Sequence, residues 1–225
     1  MSVLDNPVWT SLTGPHKRFA ERHGNAVRYL PDVAPFLAIQ DADAWPDVAA
    51  LAGPGTVVTV AGAAPPANWE TVEEIPGVQL VDAGVTAAPA PEAVRLTTDD
   101  VPDMLELVAN TRPGPFLPRT IELGTYLGIR RDGRLVAMAG ERLHPPGWTE
   151  ISAVCTDPEY RGQGLAAGLV RALVAGIRAR GEQALLHAAA SNTGAIRLYE
   201  SMGFRLRVSP VFTVLRVPAH ERLMS

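Results

Sequence analysis

The 225-residue chain contains one cysteine, Cys155. An intramolecular disulfide framework is therefore excluded, and a reducing compartment is the expected setting. No apolar run approaches the roughly 20 residues of a membrane-spanning helix, so no membrane partner is expected. The first residues show no basic segment leading into an apolar core, so no signal peptide is expected either. Cationic excess is also missing. Twenty Lys and Arg against 24 Asp and Glu leave a net charge of −4, which gives nucleic acid no electrostatic footing. The five histidines show no metal-ligand spacing, and no metal is expected. With 47% hydrophobic and 20% charged residues, the composition is that of an ordinary globular protein. A cytoplasmic enzyme is the simplest expectation.

What is present concentrates in Val154-Cys-Thr-Asp-Pro-Glu-Tyr-Arg-Gly-Gln-Gly-Leu-Ala166. The β-prone segment 149–155 ends before Pro158 and reads as a strand. Leu165, Leu169, Leu173 and Ile177 recur at four-residue spacing, with Val170 and Val174 widening the stripe, and predict an amphipathic helix. Between them lies a turn with Gly162 and Gly164, where missing Cβ atoms let backbone N–H groups wrap an anion. The helix adds unpaired N–H donors and the positive end of its dipole. Such a turn can hold a pyrophosphate.

Several phosphate sites have this outline. A P-loop needs Lys and then Ser or Thr after the second glycine, and Leu165-Ala166 supplies neither. A dinucleotide fingerprint is formally met by Gly162, Gly164 and Ala167. Its acidic partner belongs at the end of the next strand, whereas Glu182 stands before the strand at 184–187. A plain surface turn ahead of a core helix also stays open.

Arg161-Gly-Gln-Gly-Leu-Ala166 resembles the R/Q-x-x-G-x-G/A signature of the GCN5-related N-acetyltransferases (GNAT). Downstream, Ser191-Asn-Thr-Gly-Ala-Ile-Arg-Leu-Tyr-Glu-Ser-Met-Gly-Phe204 is similar to that family's second signature, an asparagine after the fifth strand and a tyrosine just before Gly-Phe. The likeness is nearest to the FR47-like branch and covers about residues 92–217, including Pro113-Gly-Pro-Phe116, Arg131-Asp-Gly-Arg134 and Ala139-Gly-Glu-Arg142. The opening Asn6-Pro-Val-Trp9 resembles the same branch.

The resemblance implies an acyl-CoA-dependent N-acyltransferase, with acetyl-CoA as donor and an amine, amino acid, or peptide or protein amine as acceptor. A homodimer stays open. Acetyl-CoA is expected between two splayed strands, where a β-bulge frees backbone groups. Val154, Cys155 and Thr156 are the expected pantetheine edge. Arg161, Gly162, Gln163, Gly164, Leu165 and Ala166 are the expected pyrophosphate loop, with Asn192 and Tyr199 completing the cofactor contacts.

Amine attack needs a proton acceptor, because an alkyl ammonium has a reference pKa of about 10.4. The resemblance makes Glu150 the candidate base, since it lies eleven residues before Arg161 on the strand where the histone-acetyltransferase branch carries its glutamate base. Simple alternation places it on one strand face with Ser152 and Val154, opposite Thr149, Ile151 and Ala153, and burial is expected to raise its carboxyl pKa. The resemblance likewise implies Tyr199 as the acid for the departing thiolate. A covalent route through Cys155 stays open, as does a binding module of the same fold that has lost turnover.

The expected class is mixed α/β. A small N-terminal α/β domain is expected over 1–88, with a degenerate copy of the GNAT fold left open for it, a GNAT domain with a central mixed sheet over 92–217, and a tail over 218–225. Strands are expected at 35–40, 56–61 and 78–81, with a helix at 44–51. The Pro/Ala-rich stretch 85–92 reads as a linker. After it come a strand at 94–96, a helix at 100–109, a hairpin at 126–139, a helix at 192–202 and strands at 204–208 and 211–217.

Overall fold

The computed structural model describes residues 2–61 and 63–219; of the tail expected at 218–225, residues 220–225 lie outside the described residues. In the C-terminal half, Asp132 (φ 51°) and Gly133 (φ 81°) supply the two left-handed positions of a tight hairpin turn. The turn folds β7 (Tyr126–Arg131) onto β8 (Arg134–Glu141). β9 (Trp148–Thr156) pairs antiparallel with β8. β10 (Gln183–Ala189) pairs parallel with β9, so a crossover is required. α4 (Leu165–Ala179) is that crossover.

The apolar stripe of α4 is buried as its spacing predicts: Leu165, Leu169, Val170, Leu173, Val174 and Ile177 form one core with Val136, Ile151 and Leu186 of the sheet. Each such side chain contributes on the order of 1.5–3 kcal/mol. α5 (Thr193–Met202) adds Tyr199 and Met202 to the same core. The opposite sheet face is covered by α3 (Val101–Thr111), whose Met104 and Leu107 pack with Phe116, Met138, Ala153 and Cys155.

The N-terminal half runs α1 (Pro7–Leu12), β1 (Ala20–His23), β2 (Ala26–Tyr29), β3 (Phe36–Ile39), α2 (Trp45–Ala52), β4 (Val57–Ala61) and β5 (Glu70–Asp82). β6 (Val94–Arg95), β11 (Phe204–Val208) and β12 (Val211–Arg216) complete the strands. All join one sheet in the order β1-β2-β3-β4-β12-β5-β10-β9-β8-β7-β6, with β11 also on β5. β5 is the join. Its residues 70–76 pair with β12, and residues 77–81 pair with β10. Pro76, which cannot donate to a ladder, stands at the change of partner.

The helices and strands expected in both halves are present, but the N-terminal ones are more extensive. α1 and the β1–β2 hairpin were not anticipated, and β5 is thirteen residues long where four were expected at 78–81. Ladders cross the 88–92 boundary both ways: β5 lies against β10, and β12 lies against β4. The 85–92 stretch crosses α4, with Val85 buried in the core and the Ala88 N–H directed at the Arg171 carbonyl (3.5 Å).

The two halves also share a buried polar contact. His16, only 4% exposed, bonds through Nδ1 to the Tyr29 hydroxyl at 2.8 Å and lies 4.8 Å, ring to ring, from His144. Burial first, then the neighbouring His144, lowers the His16 pKa from 6.5 to about 3. A depressed histidine leaves the fold fully stable above the unfolded pKa and destabilises it as pH falls toward the folded one. Stability should therefore decline by about 1.4 kcal/mol per pH unit between pH 6.5 and about 3. Urea denaturation midpoints measured across this window check the slope, which His16→Gln should flatten.

Candidate active site

The site begins where a ladder stops. β9 and β10 pair from Trp148↔Gln183 to Ile151↔Leu186 and no further. Beyond that rung β9 stays with β8 while β10 follows β5. The strands splay, and the inner edge of β9 from Ser152 to Thr156 has no β10 partner.

A bulge sharpens the divergence. The β8–β9 register slips by one residue between Gly140↔Ser152 and Met138↔Cys155, and Ala153 takes φ +53°. An extra residue inverts the alternation downstream. Ile151 and Val154 thus both face the α4 core, while Ala153 and Cys155 face the α3 core. The simple expectation that grouped Glu150 with Val154, opposite Ile151 and Ala153, fails at this bulge. Across the pair, Gly140 makes room for Tyr126, whose ring would lie 2.2 Å from any Cβ there.

The splay opens into a cleft of about 540 Å³. Val154, Cys155 and Thr156 form one wall, and Arg161, Gly162, Gly164, Leu165 and Ala166 form its mouth. Asn192, Leu198 and Tyr199 lie across from them. Gln163 is exposed and does not line the cleft. Gly162 (φ 78°) and Gly164 (φ 76°) both adopt the left-handed conformation, and no side chain caps the start of α4. The first-turn N–H groups therefore have no intrahelical partner. The Thr156 hydroxyl oxygen is buried without a hydrogen-bond partner. An open strand edge, free helix donors and this hydroxyl suit an extended, phosphate-headed ligand such as acetyl-CoA. No group of three or more metal-ligating side chains occurs among the described residues.

Glu150 is completely buried, but not as a free base. Arg142 grips both of its oxygens, Nε to Oε2 at 2.8 Å and Nη2 to Oε1 at 2.7 Å. The Leu143 N–H donates to Oε2 (3.3 Å), and His187 Nδ1 lies 2.7 Å from Oε1. Burial alone would raise the carboxyl, as expected from the sequence. The Arg142 charge and hydrogen bonds, with that of His187, together outweigh it and hold the pKa far below the usual range. That part of the sequence reading is corrected: Glu150 is a fixed, fully engaged carboxylate.

Asn192 caps α5 by accepting from the Ala195 N–H (3.2 Å) while lining the cleft. Burial raises the Cys155 thiol to about 11 and the Tyr199 phenol to about 12, with Cys155 adding to the latter. Both groups enter neutral pH protonated. Sequence reasoning missed Tyr160, Gly194 and Ala195 in the cleft lining, and it missed the Arg142 clamp. Arg142 belongs to a quoted stretch, but only the strand register reveals that it faces Glu150.

The FR47-like protein family model matches residues 126–213. A crystal structure from Novosphingobium aromaticivorans, assigned to the GNAT family of acetyltransferases, superposes with a TM-score of 0.89 at 42% identity, covering 96% of this chain and 98% of that one. N-alpha-acetyltransferase RimI of Mycobacterium tuberculosis is 39% identical over 83 residues, covering 36% of this chain and 51% of its own. The mycothiol acetyltransferase of Thermobispora bispora is 48% identical over 56 residues, or 24% of this chain. Such matches span only 19% to 27% of the first three mycothiol acetyltransferases. The near-complete correspondence with the Novosphingobium structure, on top of the splayed strands and their glycine turn, decides the family: the chain belongs to the GCN5-related N-acetyltransferases.

Proposed function

We propose that the protein transfers an acetyl group from acetyl-CoA to a primary amine by direct attack in a ternary complex. The observation that carries this reading is the unpaired β9 edge leading straight to the uncapped start of α4. The names of the partial relatives, a mycothiol acetyltransferase and an N-alpha-acetyltransferase, support acetyl as the group moved.

Acetyl-CoA supplies an activated thioester. Backbone N–H groups from Arg161 to Ala166 hold its diphosphate, with the dipole of α4 behind them. The backbone of Val154 to Thr156 runs beside the pantetheine arm as an added strand would, and the Thr156 hydroxyl gains a partner. A backbone N–H at Val154 or Cys155 steadies the negative charge that develops on the attacked carbonyl oxygen, worth about 3–4 kcal/mol for one such donor.

The two cleft thiol and phenol groups separate by their acidity. A cysteine held at about 11 carries little thiolate at neutrality, which favours direct attack over an acyl-cysteine. A phenol held at about 12 is a weaker acid than an ordinary thiol at about 8.5. Tyr199 therefore stabilises the departing sulfur by hydrogen bonding, and solvent completes the protonation.

Calorimetry with acetyl-CoA tests the reading; a folded protein with no measurable affinity would refute it. Tyr199→Phe should lower kcat by roughly 10- to 150-fold, the worth of one hydrogen bond to a charged group, while acetyl-CoA affinity stays close to the parent's. Thiol-release kinetics with amine substrates read the former, and unchanged turnover would remove Tyr199 from the mechanism.

A further inference from the structure

The Glu150 carboxylate is committed to Arg142, yet it also orients a second group. His187 is the first β10 residue past the last β9 rung, so it stands at the apex of the splay. It faces Glu150 through Nδ1 at 2.7 Å and Gln79 Nε2 through its own Nε2 at 3.0 Å. The Gln79 amide is fixed by its other contacts: Oε1 accepts from Arg207 at 2.9 Å, and Nε2 donates to the Leu4 carbonyl at 3.1 Å. An amide nitrogen can only donate. His187 therefore accepts at Nε2 and carries its proton on Nδ1, where it donates to Glu150.

The same imidazole borders a small cavity of about 50 Å³ between the two halves of the chain. Leu4, Phe36 and Phe212 provide apolar walls, and Asp5, Gln79, Arg142 and His187 provide the polar groups. The cavity is electrically balanced. Arg142 is paired with Glu150, and Arg207 with Asp5. Among the described residues that border the cavity no carboxylate is left unpaired, which suits an uncharged amine better than an ammonium.

We infer that this cavity receives the nitrogen end of an unbranched primary amine and that His187 Nε2 takes its proton, with Glu150 as the positioning residue. The inference rests on the acyltransferase reading of the cleft. The uncharged nitrogen forms a bond to the acyl carbon and gives one proton to Nε2. The carbon–sulfur bond breaks, sulfur leaves as thiolate, and the imidazolium returns its proton to solvent. For the substrate N–H to take its place at Nε2, the Gln79 amide turns away and gives up its bond to Leu4. Carboxylate, imidazole and substrate nitrogen thus form a relay in which the carboxylate itself never needs to protonate.

The test measures free-thiol release from acetyl-CoA with n-propylamine, n-butylamine and putrescine, across acid to alkaline pH. His187→Gln should bind acetyl-CoA as the parent does in calorimetry, lose about 10²- to 10⁴-fold in kcat, and lose the acid limb of the parent's pH–kcat profile. A purely structural His187 would leave that limb in place, and its persistence would overturn the assignment. Ala61, on the cavity rim, gives a second variant: Ala61→Leu should raise the amine KM roughly 10-fold or more with acetyl-CoA affinity unchanged. An unaltered amine KM would overturn the cavity's role. Loss of acetyl-CoA binding in the parent refutes the underlying acyltransferase reading, whereas binding without thiol release from any of the three amines refutes the substrate class alone.

Discussion

One geometric constraint organises the site: two parallel strands that share a ladder for four residue pairs and then part. Backbone donors and acceptors in a protein interior are almost always paired, so an interrupted ladder is costly unless something else fills it. Here the bulge at Ala153 and the switch of β10 to β5 hold the strands apart. Ala153 is a non-glycine residue at φ +53°, a conformation that costs of order 1–3 kcal/mol and persists where the surroundings enforce it. The packing of α4 on one side and α3 on the other supplies that enforcement. The cleft, the unpaired strand edge and the partnerless Thr156 hydroxyl all follow from this one divergence.

Electrostatics at the apex obey a different logic. A buried ion pair gains little net stability, because desolvation of two charges offsets their attraction, but breaking one costs about 3–5 kcal/mol. Arg142 and Glu150 are such a pair, with the guanidinium also stacked over Phe36 at 4.8 Å. Their value lies in position. They join the connection that follows β8 to β9 and turn one carboxylate oxygen toward β10. The arginine's charge and two hydrogen bonds, aided by His187, together prevail over a desolvation penalty that alone would have raised the carboxyl pKa.

The sequence disclosed the features with short-range causes. The four-residue apolar spacing gave α4, Asp132-Gly133 gave the hairpin, and the paired glycines after Arg161 gave the anion cradle. The cap at Asn192 and the apolar side of α5 that carries Tyr199 were local properties too, but their place in the cleft was read from the family resemblance. What escaped notice depended on register or tertiary context. The bulge inverts side-chain direction with no marker in the residue types, so Glu150 and Val154 were assigned a common face. Arg142 lies eight residues from Glu150, and only the β8–β9 pairing, which Arg142 directly follows, brings the two together. α1 has six residues, too few for a periodic signal, and Pro76 hid the true length of β5 because proline inside a strand argues against one. The Gly24-Asn25 turn between β1 and β2 was a readable hairpin signal that went unused.

The insertion of β12 between β4 and β5 has a bearing on biogenesis. During synthesis the first four strands emerge early, yet the strand that bridges them to the rest of the sheet follows all the other described strands in the chain. Until Val211–Arg216 leaves the ribosome, β4 presents an open edge, and Val58 and Val60 have no Leu215 to pack against. Such long-range closure slows folding relative to local pairing and leaves a vulnerable intermediate on the nascent chain. Completion of the sheet is therefore a late event, set by the final strand and not by the part of the chain that carries the anion cradle.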